Sequence, residues 1–271
     1  MRLMGVGYMV FAAACMALGV LSLGSGDFAF VWQPVPPDVP GRAIFAYLSG
    51  GILCVTGVGM LVRRFAAPAS FVFTLYALVW LLVLHVPHLV LGPLHEINWG
   101  SCAEIATLVA GGWILYARVA TPGDALYVAP LASAKAVRIA QLIFAVSVPL
   151  IGLEHLVYAK DTAGYVPAWL PDRMGWAIIT GIGHIAAGLA IAIAVLPRLA
   201  ATLEAWMMGA FTVLVWIPVA VGAPTQRFGW TAFLISTALT AAAWIVAESY
   251  RDVPWFSFNR SKNLAAHLAP R

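Results

Sequence analysis

Eight stretches of about twenty mostly apolar residues recur along this chain, separated by short polar segments. A helix of ~20 residues is ~30 Å long, which matches the hydrocarbon core of a bilayer. Only 10% of the residues are charged, whereas soluble domains carry roughly 25%. The pattern therefore predicts an all-α integral membrane protein with about eight transmembrane helices. The predicted spans are residues 5–23, 43–62, 69–90, 100–117, 138–156, 174–195, 203–222 and 229–248.

Lysine and arginine are distributed unevenly between the two sides of these spans. With a cytoplasmic N-terminus, the inner segments hold Arg2, Arg63, Arg64, Arg118, Lys135, Arg138, Arg198, Arg251, Arg260, Lys262 and Arg271. The outer segments hold only Arg42, Lys160, Arg173 and Arg227. This bias predicts that both termini are cytoplasmic. The cell (cytoplasmic) membrane is the expected location, since nothing in the sequence reads as an organelle address. The net charge of +4 then follows from topology, and no nucleic-acid partner is expected.

The sequence matches itself when it is shifted by 131 residues. Residues 35–42 lie over residues 166–173, and Pro87 lies over Pro218. Self-similarity at one offset is the mark of an internal repeat, and four spans in each copy would make the copies parallel. We therefore predict two four-helix bundles, at residues 1–117 and 138–248, joined by a cytoplasmic linker. The remaining segments are this linker, residues 118–137, and a basic cytoplasmic tail, residues 249–271.

The second copy contains a Gly-Leu-Glu-His element at residues 152–155, a Val-Pro-Ala-Trp-Leu-Pro loop at 166–171 and a Thr-Gly-Ile-Gly-His helix start at 180–184. Over about residues 137–195 the chain resembles the DoxX family of small four-helix membrane proteins. That resemblance implies membrane-associated redox metabolism, since one family member is a subunit of a quinone-reducing sulfur oxidoreductase. The chain departs from the family at His184, where an acidic residue is frequent.

Ionisable side chains inside a bilayer are costly, so each one in a span needs a reason. Such residues lie in or at the ends of the predicted spans, all assigned to the outer half: His184, Glu104, His155, Glu154, His85 and His88. Counting ~1.5 Å per residue places Glu104 roughly 6–8 Å below the outer interface and His184 near the midplane. His95 and Glu96 are expected to be solvated in an outer loop.

Three hypotheses account for these residues. A polar pocket that opens outward, with His184 at its floor, would bind a quinone-like molecule and pass protons to it. In the second hypothesis a divalent transition metal is bound by His85, His88, His155, His184 and a glutamate. His85 and His88, one helical turn apart on one face of the third span, are weak candidate ligands. The third hypothesis is that these side chains form only structural hydrogen bonds between helices.

The two copies differ at every candidate position. Glu154, His155 and His184 align with Leu23, Gly24 and Leu53, and Glu104, His85 and His88 align with Ile235, Trp216 and Val219. The pocket would then use the last two helices of the first copy and the first two of the second. We expect an accessory component of membrane redox metabolism that binds a quinone-like molecule, in contact with lipid and with other membrane or redox subunits. A small-solute transporter or channel and a structural subunit of a larger membrane complex are the alternatives.

Overall fold

The structure, a computed structural model, describes residues 5–261 and 263, which form helices and contain no strand. The helices are α1 Val6–Ser25, α2 Arg42–Leu61, α3 Ala66–Trp80, α4 Val86–Leu91, α5 Glu96–Val119, α6 Ala134–Val157, α7 Ala159–Tyr165, α8 Arg173–Ala192, α9 Pro197–Phe211, α10 Ile217–Gly222 and α11 Arg227–Ser249. Within the described residues, eight helical segments are long and apolar enough to cross a membrane. The prediction of a helical, multi-pass protein associated with lipid is confirmed at this level.

Two of these segments are each built from two helices joined by a π-helical turn. Leu81–His85 joins α3 to α4, and Thr212–Trp216 joins α9 to α10. Pro87 and Pro218 follow these turns by two residues. Proline donates no hydrogen bond and its ring crowds the carbonyl four residues earlier, so the preceding turn widens instead of keeping α-helical bonds. The resulting continuous spans are Ala66–Leu91 and Pro197–Gly222.

Other element ends have local causes in the sequence. The hydroxyl of Ser133 accepts a hydrogen bond from the Ala136 amide and so begins α6. Asp172 does the same for the Gly175 amide at the start of α8. Gly26 ends α1 in a left-handed conformation (φ 62°), which glycine adopts without strain. The observed helices exceed several predicted spans by a few residues, because polar caps and terminal arginines fall outside an apolar window.

The helices of the second half repeat the bounds of the first half. The helices α2, α3 and α4 begin and end 131 residues before α8, α9 and α10, as residues 42 and 61 against 173 and 192 illustrate. The two π-helical turns obey the same shift, with residues 81–85 against 212–216. Matching bounds place each proline-linked turn at the same position within its half.

The halves pack into one body around α5 and α11. These two helices contact each other, and each carries a neighbour from its own half, α3 on α5 and α9 on α11. The first helix of each half packs on the last helix of the other half, α1 on α11 and α6 on α5. The close pairs α1/α2 and α6/α8 complete the ring. Side chains from both halves therefore meet along the α5/α6/α8 seam.

Some predicted features fall outside the described residues. These are Arg2, Lys262 and Arg271, which contribute to the charge bias, together with residues 1–4 of the first predicted unit and residues 264–271 of the predicted tail.

Candidate functional site

A buried histidine–glutamate pair joins α8 to α9. The Nδ1 atom of His184 lies 2.6 Å from the Oε1 atom of Glu204, and the two side chains are 1% and 0% exposed. The other polar atoms of the pair, His184 Nε2 and Glu204 Oε2, are buried without a hydrogen-bond partner. Because the carboxylate holds Nδ1, Nε2 is the imidazole nitrogen that remains to exchange a proton or hold a ligand.

His155 on α6 lies beside this pair. Its ring meets the His184 ring edge-on, with 5.1 Å between centroids, and its Nδ1 lies 3.0 Å from the Thr180 hydroxyl. Phe211 covers both imidazoles, at 5.6 Å from His155 and 5.9 Å from His184. The two histidines therefore share one aromatic compartment between α6, α8 and α9.

The compartment depends on a close crossing of α6 and α8. A Cβ atom placed on Gly152 would lie 2.5 Å from the carbonyl oxygen of Gly181 and 2.8 Å from the His184 Cβ. A Cβ on Gly181 would lie 2.9 Å from the Gly152 carbonyl and 3.0 Å from the His155 Cβ. Only glycine permits this approach of the two backbones, and the approach brings the two histidines together.

Three carboxylates lie between this compartment and one end of the bundle. At that end α6 ends and α5 and α8 begin, and we call it the outer end after the predicted orientation. Glu154 reaches across to α5, where its Oε2 would be 2.5 Å from a Cβ on Gly100. Its charge acts on Glu96 and on Glu104, and His184 in turn acts on Glu154. We call Glu96, Glu104 and Glu154 the outer carboxylates.

The loop between α1 and α2 enters the bundle beside Glu104. The indole Nε1 of Trp32 donates to Glu104 Oε2 at 2.8 Å. The Trp32 carbonyl accepts a hydrogen bond from the Trp80 indole and lies 2.9 Å from His85 Nε2. His85 is thus connected to Glu104 through one buried tryptophan, and Phe228 of α11 stacks on the same indole with 6.1 Å between centroids.

Gln33, the next residue, anchors the loop more deeply. Its side-chain amide donates to the Ser49 hydroxyl at 3.1 Å and to the Tyr76 hydroxyl at 2.6 Å, and its carbonyl accepts from the Ala29 amide at 3.1 Å. Ser49 lies 131 residues before Thr180, the partner of His155. In the first half, the loop between α1 and α2 therefore occupies the position that His155 occupies in the second half.

An ion-pair cluster fixes the base of this loop outside the spans. Asp27 pairs with Arg42, and its Oδ2 lies 3.5 Å from Arg227 NH1. Partial burial alone would raise the pKa of Asp27, but hydrogen bonds from Arg42 and the Phe28 amide, with the charges of Arg42 and Arg227, hold that pKa below its ordinary value. The Arg227 guanidinium also donates to the Phe28 carbonyl, so α11 holds the loop as well.

The structure brings some of the predicted residues together and separates others. His184, His155 and Glu154 are neighbours, and Glu104 joins them through the electrostatic contact with Glu154. His85 is buried and reaches Glu104 only through Trp32, whereas His88 is exposed and bonds the carbonyl of its own helix. Within residues 5–261 and 263, no three His, Cys, Asp or Glu side chains are grouped to hold a metal ion.

Two site residues are missing from the sequence-based prediction. Glu204 stands near the start of the seventh span, at the end opposite to the other candidates, yet it is the hydrogen-bond partner of His184. Its signal was a lone carboxylate within an apolar helix. The expectation that Glu96 is solvated is wrong, because both of its carboxylate oxygens are buried without a hydrogen-bond partner.

No protein-family model, curated protein or solved structure matches the chain. The site's own geometry is therefore the basis for assigning a function.

Proposed function

We propose that this protein binds a quinone-like small molecule within the membrane at the His184–Glu204 pair, which supplies protons to it as partner redox subunits supply the electrons that reduce it. The observation that carries the proposal is the buried pair itself, with one nitrogen and one oxygen left without partners. A buried imidazole held by a carboxylate at one nitrogen presents its other nitrogen to a ligand as a hydrogen-bonding group. The polar carbonyl oxygens of a quinone are acceptors that such a donor satisfies.

The position of the pair along the helices supports a role at depth. His184 is eleven residues from the start of α8 and Glu204 is seven from the start of α9, so at ~1.5 Å per residue they lie ~16 Å and ~10 Å from opposite ends. A charged side chain at such depth is costly unless it has a partner or a function. The outer carboxylates extend the ionisable groups from this pair towards the outer end, as a proton path would require.

We also propose that the scaffold is a tandem duplication of a DoxX-like four-helix unit, with both termini cytoplasmic and the cell membrane as its location. The shared 131-residue shift of helix bounds and π-helical turns supports the duplication. On this basis the protein serves as an accessory component of membrane redox metabolism, alongside other redox subunits, with one site on two copies of the scaffold.

The test is quinone binding by the purified protein in detergent. Binding of decylubiquinone and menadione is measured by titration at several pH values for the wild type, His184→Ala and Glu204→Gln. We expect saturable binding whose pH dependence disappears in Glu204→Gln, and loss of binding in His184→Ala. His88→Ala is the matched control, because that histidine is exposed and outside the site. Absence of saturable quinone binding by the wild type would overturn the proposal.

Transport of a small solute is a second candidate, favoured by the loop that closes over Glu104. Trp32 and Gln33 occupy the first half at the level of the outer carboxylates, which is where a gate would lie. Proteoliposomes that take up a solute in proportion to an imposed pH gradient, and fail to do so with Glu104→Gln, would favour this function over quinone binding.

A further inference from the structure

A groove of about 610 Å³ runs along the surface between α9 and α11, on the face of α9 that points away from His184. Most of its lining is apolar, and it includes small residues such as Ala205, Gly209 and Ala210. Trp206 stands at its edge with 71% of its side chain exposed, and Trp244 lines it from α11. A groove open to the bilayer with such walls is shaped for a hydrocarbon chain.

The end of the groove where α9 begins and α11 ends is charged. Arg198 donates to the carbonyls of Arg251 and Val253 at 2.8 and 3.1 Å, and its guanidinium lies 4.1 Å from the centre of the Trp255 ring. Arg251 lines the same end. The guanidinium of Arg198 is fixed by backbone and aromatic contacts, so it presents positive charge at a defined place.

Acidic neighbours do not cancel this positive charge. Glu248 lines the groove but pairs with Arg118 at 2.9 Å. Asp252 approaches Arg251, with 3.6 Å between Oδ1 and Nε. Among the described residues at this end, three arginines therefore face two carboxylates, which leaves an excess of one positive charge. A phosphodiester, with one negative charge, complements this end.

The corresponding region of the first half is filled. Phe71 and Tyr116 stand 131 residues before Thr202 and Ala247, and their rings pack against each other at 5.3 Å between centroids. The Tyr116 hydroxyl is also bonded to the linker, donating to the Leu126 carbonyl at 3.1 Å. The second half replaces both rings by small side chains and so opens the groove.

The charged residues that line this end of the groove have no charged counterparts in the first half. The positions that precede Arg198, Glu248 and Arg251 by 131 residues are alanines, at 67, 117 and 120. One half thus has a filled, uncharged region where the other has an open groove with a basic end. These differences occur together in one place, as a site for an amphipathic ligand requires.

We propose that this groove binds one anionic phospholipid of the leaflet on the side where α9 begins. Its phosphate lies at Arg198 and Arg251, and an acyl chain follows α9 towards Leu214. Leu214 is sixteen residues after Arg198, a span of ~24 Å, which exceeds the ~15 Å depth of one leaflet's hydrocarbon region. Trp255 lies at the headgroup level, where indole rings are favoured.

The test is lipid retention, measured by native mass spectrometry of the full chain. The protein is reconstituted in nanodiscs with equal amounts of phosphatidylglycerol and phosphatidylcholine, extracted in detergent, and the lipids that remain bound are identified. We expect one retained phosphatidylglycerol, favoured over phosphatidylcholine. Arg198→Gln/Arg251→Gln should reduce its retention by about tenfold or more. Arg63→Gln/Arg64→Gln, which removes the same charge from an exposed turn outside the groove, should retain it as the wild type does.

A second variant tests the apolar part without touching the arginines. Thr202→Phe/Ala247→Tyr introduces the residues of the first half and fills the groove, so it should retain neither lipid while keeping the melting temperature of the delipidated protein. Equal retention of phosphatidylglycerol by the wild type and the filled variant would overturn the proposal. Equal retention of the two lipids by the wild type would overturn the assignment of an anionic headgroup.

Discussion

His184 Nδ1 and Glu204 Oε1 lie 2.6 Å apart, between two helices whose side chains here exclude solvent. The positions 131 residues earlier hold Leu53 and Phe73, both buried. The fold therefore accommodates apolar side chains at this place without a hydrogen bond. In the second half the same place holds two ionisable groups, whose burial is unfavourable unless each has the other as partner.

Removing one member of the pair should destabilise the protein more than removing both. His184→Leu leaves Glu204 without its partner, which we expect to lower the free energy of unfolding by about 3–5 kcal/mol. The double variant His184→Leu/Glu204→Leu should recover most of that loss, since well-packed apolar residues can replace a buried pair. Thermal and denaturant unfolding in detergent would measure both.

The control for this cycle is His88→Leu, alone and combined with Glu204→Leu. His88 is exposed and does not touch the pair, so its effects should add to those of Glu204→Leu. If the losses in unfolding free energy from His184→Leu and Glu204→Leu also add, the two residues are not coupled.

The α6/α8 crossing should tolerate no side chain at Gly152. In Gly152→Ala the new Cβ meets the Gly181 carbonyl, so we expect a loss of about 1–3 kcal/mol in unfolding free energy. The helices would also separate at His155 and His184, weakening any ligand bound there. Gly51→Ala is the matched control, because that helical glycine has no atom within 4 Å of an added Cβ. A Gly152→Ala protein as stable as Gly51→Ala would contradict the crossing.

Gln33 should be the main anchor of the inserted loop. Gln33→Ala removes three hydrogen bonds and leaves the buried Ala29 amide without an acceptor. Ser49 and Tyr76 keep the bond between their hydroxyls. We expect a cost of about 1–3 kcal/mol for the unsatisfied amide. Hydrogen exchange of residues 28–35 should become faster, whereas exchange in α8 should not change. Asp38→Ala, an exposed change in the same loop, should leave both rates as they are. Unchanged exchange at Trp32 in Gln33→Ala would show that the loop is held elsewhere.

The spans were predictable because hydropathy over twenty residues depends on composition and little else. That Glu154, His155 and His184 lie close together could also be predicted. They lie on consecutive spans, and their depths follow from counting residues from the span ends. Glu204 was missed because depth was counted from the outer end, and a single carboxylate close to a span's other end looks like a residue that reaches water.

Residues that depend on long-range contacts could not be predicted from spacing. Spacing places His85 and His88 one helical turn apart, but His85 is buried against the Trp32 carbonyl, whereas His88 is exposed. The contact of Trp32 with Glu104 joins residues 72 positions apart. No local pattern in the loop between α1 and α2 indicates that its tryptophan enters the bundle.

Acid should release the loop at its base before it disturbs the helices. In the folded protein the pKa of Asp27 lies below its ordinary value. The ion pairs with Arg42 and Arg227 therefore stabilise the loop at any pH above that ordinary pKa. This stabilisation is lost as the pH falls through the lowered pKa. Hydrogen exchange at Phe28, corrected for intrinsic rates, should therefore rise in acid. Asp27→Asn should show the faster exchange already at neutral pH and a weaker pH response, whereas Asp38→Asn should behave as the wild type. Equal acid responses of Asp27→Asn and wild type would assign the release to another group.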